Sequence, residues 1–358
     1  MTGLLAQPLG GPAAPPAPDP AAPMAAYEVT QLAPGVHGFV WTNALENPIQ
    51  GNALFIINDA DVVVVDTGLL PSTARAMAAE LRKLTPKPVR YVINTHWHDD
   101  HHNGNAVYRE LWPGVEFIAH RDTRADIFAK TYGTRAQDLA GLEAQIDRYA
   151  RWSATGKDDD GKVLEEARRK RAGEIAALDR AILPELRAVA DMPPDLTFVD
   201  QLVLQRGDRT IEIRWLGRGN TRGDTVVVLP KERIAASGDL VVYPVPFGIL
   251  SYYDEWRETL SKLDALPVDA LFPGHGPLMR DRTYLRQVQS LLAALVDRVK
   301  AAIASGATLE ATKAQVTLSD WKQTFAGDDP IKQRAFDNFF VQPAVERTWR
   351  QLKGEPDS

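Results

Sequence analysis

Five of the seven histidines in this 358-residue chain stand where they could do chemistry: His96, His98, His101, His102 and His275. Four of them fall in the run THWHDDHH, residues 95–102. A chain with so few histidines rarely gathers four of them by accident; the bland alternative is a polar surface loop. Imidazoles beside Asp99 and Asp100 offer the nitrogen and oxygen donors that a transition-metal ion takes. His96 and His98 are two residues apart, so on an extended segment they face the same side and can grip one ion. Asp100 and His101 follow where the chain bends toward a helix over Asn103–Leu111, and can face a second ion. Two ions roughly 3.5–4 Å apart would activate a bridging hydroxide. The chain has no cysteine, which excludes thiolate ligands, disulfides and a cysteine nucleophile. There is no G-x-S-x-G elbow either.

The elements that must position these residues are short strands. Val29–Leu32, Val36–Trp41, Asn52–Ile57 and the β-branched run Val62–Val65 read as strands, the last leading into the turn Asp66-Thr67-Gly68. Pro71–Leu84 has helical periodicity and a Pro-Ser-Thr start. Tyr91–Ile93 is a buried-type strand that delivers the chain to His96. Strands resume at Leu202–Leu204, Ile211–Trp215, Thr225–Leu229, Ile234–Ala236 and Ala270–Phe272, with helices over Glu255–Leu266 and Thr283–Ala304. Between them, residues 121–190 are rich in Ala, Arg, Glu, Leu and Gln and predict two helices, near 135–152 and 161–189, around the turn TGKDDDG. Their charges read as a solvated helix face.

Composition sets the frame. Hydrophobic residues make up 44% and charged residues 25%, which excludes a disordered or fibrous chain. The net charge is -6 with no basic stripe, which argues against a nucleic-acid partner. No apolar run is long enough to span a bilayer. Three regions follow: a Pro/Ala/Gly-rich disordered leader at 1–25, a main domain at 26–305 carrying the helical insertion at about 121–190, and a helical C-terminal extension at 306–358 with Trp321, Phe325, Phe336, Phe339, Phe340 and Trp349 as core aromatics. The leader fits the stub of an exported protein as well as a cytoplasmic one, and localisation stays open.

The run His96-x-His98-x-Asp100-His101 resembles the H-x-H-x-D-H motif of the metallo-β-lactamase superfamily. Further segments agree in order: Asp66-Thr67-Gly68, the loop Gly217–Asp224, Ser237-Gly238-Asp239 and Pro273-Gly274-His275-Gly276. The resemblance spans residues 52–277. It implies an α/β fold, a four-layer αββα sandwich, here with the helical insertion and helical tail. By position, it implies that His96 and His98 bind a first metal, that Asp100, His101 and His275 bind a second, that Asp239 bridges, and that Asp66 orients ligands by hydrogen bonds. The departure is Asn220, which stands where the family usually has the third histidine of the first site. No histidine lies between His120 and His275 to replace it. A neutral amide oxygen is a weaker donor than imidazole, so the first site should be the weaker.

The resemblance implies a zinc hydrolase with two ions, iron or manganese being alternatives. Metal-activated water would attack an ester, thioester, lactone or amide bond, β-lactams included, with Asp100 as the catalytic residue that holds or relays the proton. The partner is a small-molecule substrate, and the insertion offers either a lid or a contact for a homo-oligomer. Arg218 and Arg222 flank Asn220 and are candidates to attract an anionic group, or plain loop arginines. Trp97 should point to core or pocket rim, His102 should lie on a helix side, and His120 near the site mouth or in a structural role. Two rivals remain: a metal-binding scaffold with little turnover because of Asn220, and an iron redox enzyme, for which no flavin-type carrier domain is visible.

Overall fold

The computed structural model describes residues 26–42, 45 and 49–355, and the leader read over 1–25 lies outside them. In chain order the elements are β1 (Tyr27–Ala33), β2 (Val36–Trp41), β3 (Ala53–Ile57), β4 (Val62–Val65), α1 (Pro71–Leu84), β5 (Val89–Ile93), α2 (Asp99–His102), α3 (Asn105–Leu111) and β6 (Glu116–His120). Then come α4 (Arg121–Asp126), a π-helical segment Ile127–Tyr132, α5 (Arg135–Thr155), α6 (Glu166–Ala188), β7 (Leu196–Phe198), β8 (Gln201–Arg206), β9 (Arg209–Trp215), β10 (Thr225–Leu229) and β11 (Ile234–Val242). The rest is α7 (Tyr253–Asp264), β12 (Ala270–His275), α8 (Thr283–Ala304), α9 (Leu309–Gln315), α10 (Ser319–Ala326), α11 (Pro330–Phe336), a second π-helical segment Asp337–Val341, and α12 (Gln342–Leu352).

The strands form two sheets. One runs β1-β2-β3-β4-β5-β6-β7 and the other β12-β11-β10-β9-β8. The four valines of β4 show why the sheets stack. Side chains alternate across a strand. Val63 and Val65 therefore enter a core shared with Ile211, Ile213, Val227, Ala236 and Phe272 of the second sheet. Val62 and Val64 face the other way, against Met77 and Leu81 of α1 and Val107 and Tyr108 of α3. A third cluster covers the outer face of the second sheet, where Val226, Val228 and Leu271 meet Trp256 and Leu260 of α7 and Leu291 and Leu295 of α8. Helix, sheet, sheet, helix is the order of the four layers, the α/β architecture expected from the sequence.

Two local differences have physical reasons. The helix expected over Asn103–Leu111 is found as α3, starting at Asn105, and a separate short helix, α2, precedes it. Gly104 between them lies so close to the Asp66 turn that a Cβ there would sit 2.1 Å from the Thr67 carbonyl oxygen. Within the insertion, α5 and α6 are preceded by α4 and the π-helical segment, so the chain is helical from Arg121 almost without a break. The hairpin is tied to the sandwich by Glu185, whose Oε2 accepts the Ser72 N–H at the start of α1 (2.8 Å).

The tail helices share the third core. Phe325, Phe336 and Phe340 belong to the same cluster as α7 and α8. The Phe336 ring is fully buried and stacks on Phe325 at 5.7 Å and on Phe340 at 5.8 Å between centroids. Truncating such a ring loses its burial and leaves a cavity. Phe336→Ala should cost about 3–5 kcal/mol in urea unfolding monitored by tryptophan fluorescence. A loss below about 1 kcal/mol would show that the tail adds little to this core.

Candidate metal centre

The donors lie just beyond a strand or in the last part of one. β4 and β5 run parallel, so Asp66 and the segment from Thr95 emerge from the same edge of the first sheet. Asp239 lies within β11 and His275 ends β12, with Val242 in register with His275 across their parallel pair. The two sheet edges are stitched together there. The Thr225 N–H donates to the Thr95 carbonyl (2.8 Å), and the Asn52 N–H to the Gly274 carbonyl (2.7 Å). Asn52 Nδ2 adds bonds to the Pro273 (3.1 Å) and Gly276 (2.8 Å) carbonyls, which hold the His275 turn.

The side chains converge in two groups. His96 Nε2 lies 2.8 Å from His98 Nδ1, and both face Asp239 Oδ2, at 3.5 and 3.8 Å. His101 Nε2 and His275 Nε2 are 3.3 Å apart and face Asp239 Oδ1, at 3.3 and 3.4 Å. Asp100 Oδ2 completes this second group, 3.4 Å from His101 Nε2 and 3.2 Å from His275 Nε2. The donor atoms of each trio lie within 4.8 Å of one another. Asp239 therefore completes the first trio with His96 and His98 and turns its other oxygen to the second, and that Oδ1 is buried without a hydrogen-bond partner among the described residues. Two positions make room for this. A Cβ on Gly274 would sit 2.0 Å from Asp239 Oδ1, and one on Gly51 would sit 2.6 Å from His101 Cε1.

Hydrogen bonds behind the donors fix which ring nitrogen is offered. Asp66 Oδ2 lies 2.8 Å from His101 Nδ1 and also accepts the Thr95 hydroxyl (2.8 Å), while its Oδ1 accepts the Thr95 N–H (2.8 Å). Thr95 Oγ1 in turn contacts His96 Nδ1 at 2.9 Å. Both Nε2 atoms are thus left for the centre, the arrangement by which partners of ligand histidines orient them. Among the described residues His275 Nδ1 has no such partner, and the backbone of its turn positions it.

The charges fit a cation. Burial pulls the His96 imidazole down to about 3, helped by the neighbouring His101, so this ring is neutral and its lone pair is available. Burial alone would raise Asp100 and Asp239, but His101 and His275 beside them hold both carboxyls below the ordinary range. The same carboxylates raise His101, and lift His275 to about 9, against the opposing effect of burial. A buried carboxylate and a half-buried one that draw protons onto neighbouring rings create the potential that draws a metal ion there instead. Nitrogen and oxygen donors without sulfur suit zinc, and also iron or manganese.

Asn220 sits in a pinned loop. Asp224 accepts the Thr221 N–H and hydroxyl, each at 2.8 Å, and Trp215 Nε1 donates to the Arg222 carbonyl at 3.0 Å. Asn220 Nδ2 donates to the Phe247 carbonyl (2.7 Å), and the Phe247 ring stands edge-on to His98 at 5.5 Å. Asn220 Oδ1 is buried with no partner among the described residues. The flanking arginines are engaged elsewhere: Arg218 Nε with Glu255 (2.7 Å), and Arg222 with both oxygens of Asp126 (2.9 Å each). His102 is buried against the Trp97 carbonyl (2.9 Å). His120 stacks on Trp215 at 5.3 Å and its Nδ1 accepts the Asp122 N–H.

The donors open into a cavity of about 460 Å³. His98, Asp100, Asp239 and His275 contribute to its lining, and so do Trp97, Phe247 and Phe339. The hairpin contributes Leu142, Gln145, Asp179, Ile182 and Leu186. Sequence reading gave no role to Thr95, Asn52 or Gly274, and it offered the insertion as a lid without naming the residues that line the cavity. Thr95 stands directly before the histidine run and could have been suspected; the others carry no local signal.

Comparison with known proteins gives a family and a fold. The sequence model of the Metallo-beta-lactamase superfamily matches residues 47–275, a span that holds both trios. A linear primary-alkylsulfatase from Pseudomonas sp. is 24% identical over 241 residues, covering 63% of this chain and 42% of that protein. The chain thus spans less than half the length of this curated relative. A metallo-beta-lactamase from Pontibacter korlensis superposes with a TM-score of 0.52 at 18% identity, over 75% of this chain and 99% of the other. A stereoselective inverting sec-alkylsulfatase from Pseudomonas sp. gives 0.61 at 16% identity, over 93% of this chain and 51% of the other. Both structural likenesses are of fold.

The shared position of Asp239 is testable. Loss of a mere hydrogen-bond partner of a metal ligand costs about 10–100-fold in affinity, and loss of a carboxylate that belongs to one trio and faces the other should cost more. Asp239→Ala, purified without chelator, should retain well under the wild-type metal content by elemental analysis. Undiminished content would show that Asp239 is not a donor.

Proposed function

The chain belongs to the metallo-beta-lactamase superfamily, and from that premise we propose that it is a metal-dependent hydrolase acting on an ester, thioester, lactone or amide bond of a small molecule, β-lactams included. The observation that carries this reading is the single buried carboxylate of Asp239, turned with one oxygen toward His96 and His98 and with the other toward His101 and His275, beside a largely apolar cavity. In this reading His96 and His98 hold a first ion, Asp100, His101 and His275 hold a second, and Asp239 bridges. Asn220 Oδ1 joins the first group as a weak neutral donor. Zinc is the ion of choice, as two ions unequally held. Residues 26–305 carry the chemistry, the insertion at about 121–190 supplies part of the cavity wall, and the extension at 306–358 adds Phe339 to it.

A bound ion supplies Lewis-acid charge and lowers the pKa of water toward about 7, so no side-chain nucleophile is required. The chain's own residues do the rest. Asp66 keeps the His101 ring in one orientation, and Thr95 links that carboxylate to His96. The Asp100 carboxylate lines the cavity and is the group placed to hold the proton that water gives up and to pass it to the leaving atom. Trp97, Phe247, Ile182 and Leu186 exclude bulk water around the scissile bond and receive an apolar body.

The names of the relatives extend the screen to alkyl sulfate esters. Among the described residues no lysine or arginine lines the cavity, so carbonyl substrates come first. Metal-loaded protein should hydrolyse at least one class among p-nitrophenyl esters, thioesters, lactones, β-lactams and alkyl sulfates, and lose that activity on chelation. The second reading, a metal-binding scaffold with little turnover, is favoured by Asn220 alone. Two ions bound with no turnover of any class would overturn the hydrolase reading and leave the scaffold.

Asn220→His separates weak ligation from no role. Replacing an amide oxygen with imidazole should tighten the weaker ion by about tenfold or more, by calorimetric titration against a chelator. Unchanged stoichiometry and affinity would remove Asn220 from the first site.

A further inference from the structure

The hairpin of α5 and α6 lines the same cavity as the metal donors, and it does so with one residue that its packing does not explain. The buried stripe of α6 runs Ala172, Ala176, Asp179, Ile182 and Leu183. Small and apolar residues are what such a face needs. Asp179 breaks the pattern, and it is only 3% exposed. Its Oδ2 accepts one hydrogen bond, from Gln145 Nε2 of α5 at 2.9 Å. Among the described residues no lysine, arginine or histidine forms an ion pair with it. A carboxylate withdrawn from water costs heavily unless a charge or several donors face it, and one neutral amide is poor compensation.

The cavity has the complementary character. Among the described residues, Asp99, Asp100, Asp179 and Asp239 are its ionisable acids, His98 and His275 its only basic side chains, and the remaining lining is mostly apolar. Asp100 and Asp239 belong to the metal trios. Asp179 does not, and it faces the same space from the opposite secondary structure, the insertion instead of the sheet edge. We propose that Asp179, presented by the α5–α6 hairpin and steadied by Gln145, is a specificity-determining residue that selects a substrate whose apolar body carries a protonated amine. This rests on the hydrolase reading for the word substrate, while the binding preference itself does not. The ammonium donates to the free oxygen of Asp179, the alkyl or aryl body lies along Ile182, Leu186 and Phe247, and the scissile bond reaches the donors.

Two measurements test it. The first uses metal-loaded full-length protein and needs no turnover: calorimetric binding of primary n-alkylammonium ions against n-alkanols of the same, graded lengths. A hydrogen-bonded charge of this kind should favour the ammonium by about tenfold or more. The preference should fall toward unity in Asp179→Asn, which keeps the side chain's shape and its capacity to bond Gln145, with thermal unfolding checking that the variant is folded. The second compares p-nitrophenyl esters of ω-amino acids with esters of the matching unsubstituted acids, read as the ratio of their kcat/KM values in wild type and Asp179→Asn. Wild-type protein that binds alkanols as well as alkylammonium ions overturns the proposal, and so does a preference that survives Asp179→Asn. Hydrolysis without ammonium selectivity would sink this inference and leave the hydrolase reading standing. Ammonium selectivity without turnover of any of the substrate classes would do the reverse.

Discussion

The centre hangs on the carboxylate of Asp66. It ends β4 with a positive φ of 60°, a conformation an aspartate tolerates better than most side chains, and this turns the carboxylate back beneath the sheet edge. There it takes two hydrogen bonds from Thr95 and one from His101. Burial raises its carboxyl, against the pull of His101 and Thr95. A lone carboxylate in that position would be costly, so the group is stable only while all three contacts hold. The same contacts orient His101, and through the Thr95 hydroxyl they reach His96. One residue of each trio is therefore set by a single buried acid, and loosening it disturbs both trios.

The second constraint is the alignment of two separate sheets. Donors of the first sheet arrive at residues 96–101, donors of the second at Asp239 and His275, and their oxygens and nitrogens must meet within a few tenths of an ångström. The core between the sheets supplies adhesion but little lateral precision, because apolar packing is not directional. The polar stitches supply it. Thr225 to Thr95, and Asn52 to Pro273, Gly274 and Gly276, fix the edges against each other where slippage would separate the trios. Gly274 permits the final approach, since any side chain there would strike Asp239.

Much of this was legible from residue types and spacing. The β-branched runs of β4 and β10 and the histidine run after β5 are strong local patterns, and the structure brings His96, His98, Asp100, His101, Asp239 and His275 together. Asn220 was legible as a departure, and its bond to Phe247, with Oδ1 left free, is a fact only of the fold. The break between α2 and α3 was hidden because Gly104 answers to Thr67, distant in sequence. The insertion was legible as helical, but its inner face was not assignable. A helix that lines a cavity and one that packs a core show the same 3.6-residue period, so Leu142, Ile182 and Leu186 look like core residues in the sequence. Asp179 interrupts that period, yet a single acid in a charged, Arg- and Glu-rich segment gives no warning of its burial.

This division of legibility follows from how the molecule is built. Groups that must meet at a sheet edge are constrained by strand ends, and strand ends concentrate them into short runs with fixed spacing. Groups that line the cavity away from the donors are spread over the hairpin and the tail, one or two per element: Gln145 from α5, Asp179 from α6, Phe339 from the segment before α12. The donors are thus written in motifs and the cavity wall in isolated residues. A change on the hairpin alters the wall without touching Asp66, Thr95 or Asp239, so the wall can vary independently of the donor centre. The converse does not hold, because each donor is shared, stitched or oriented by another.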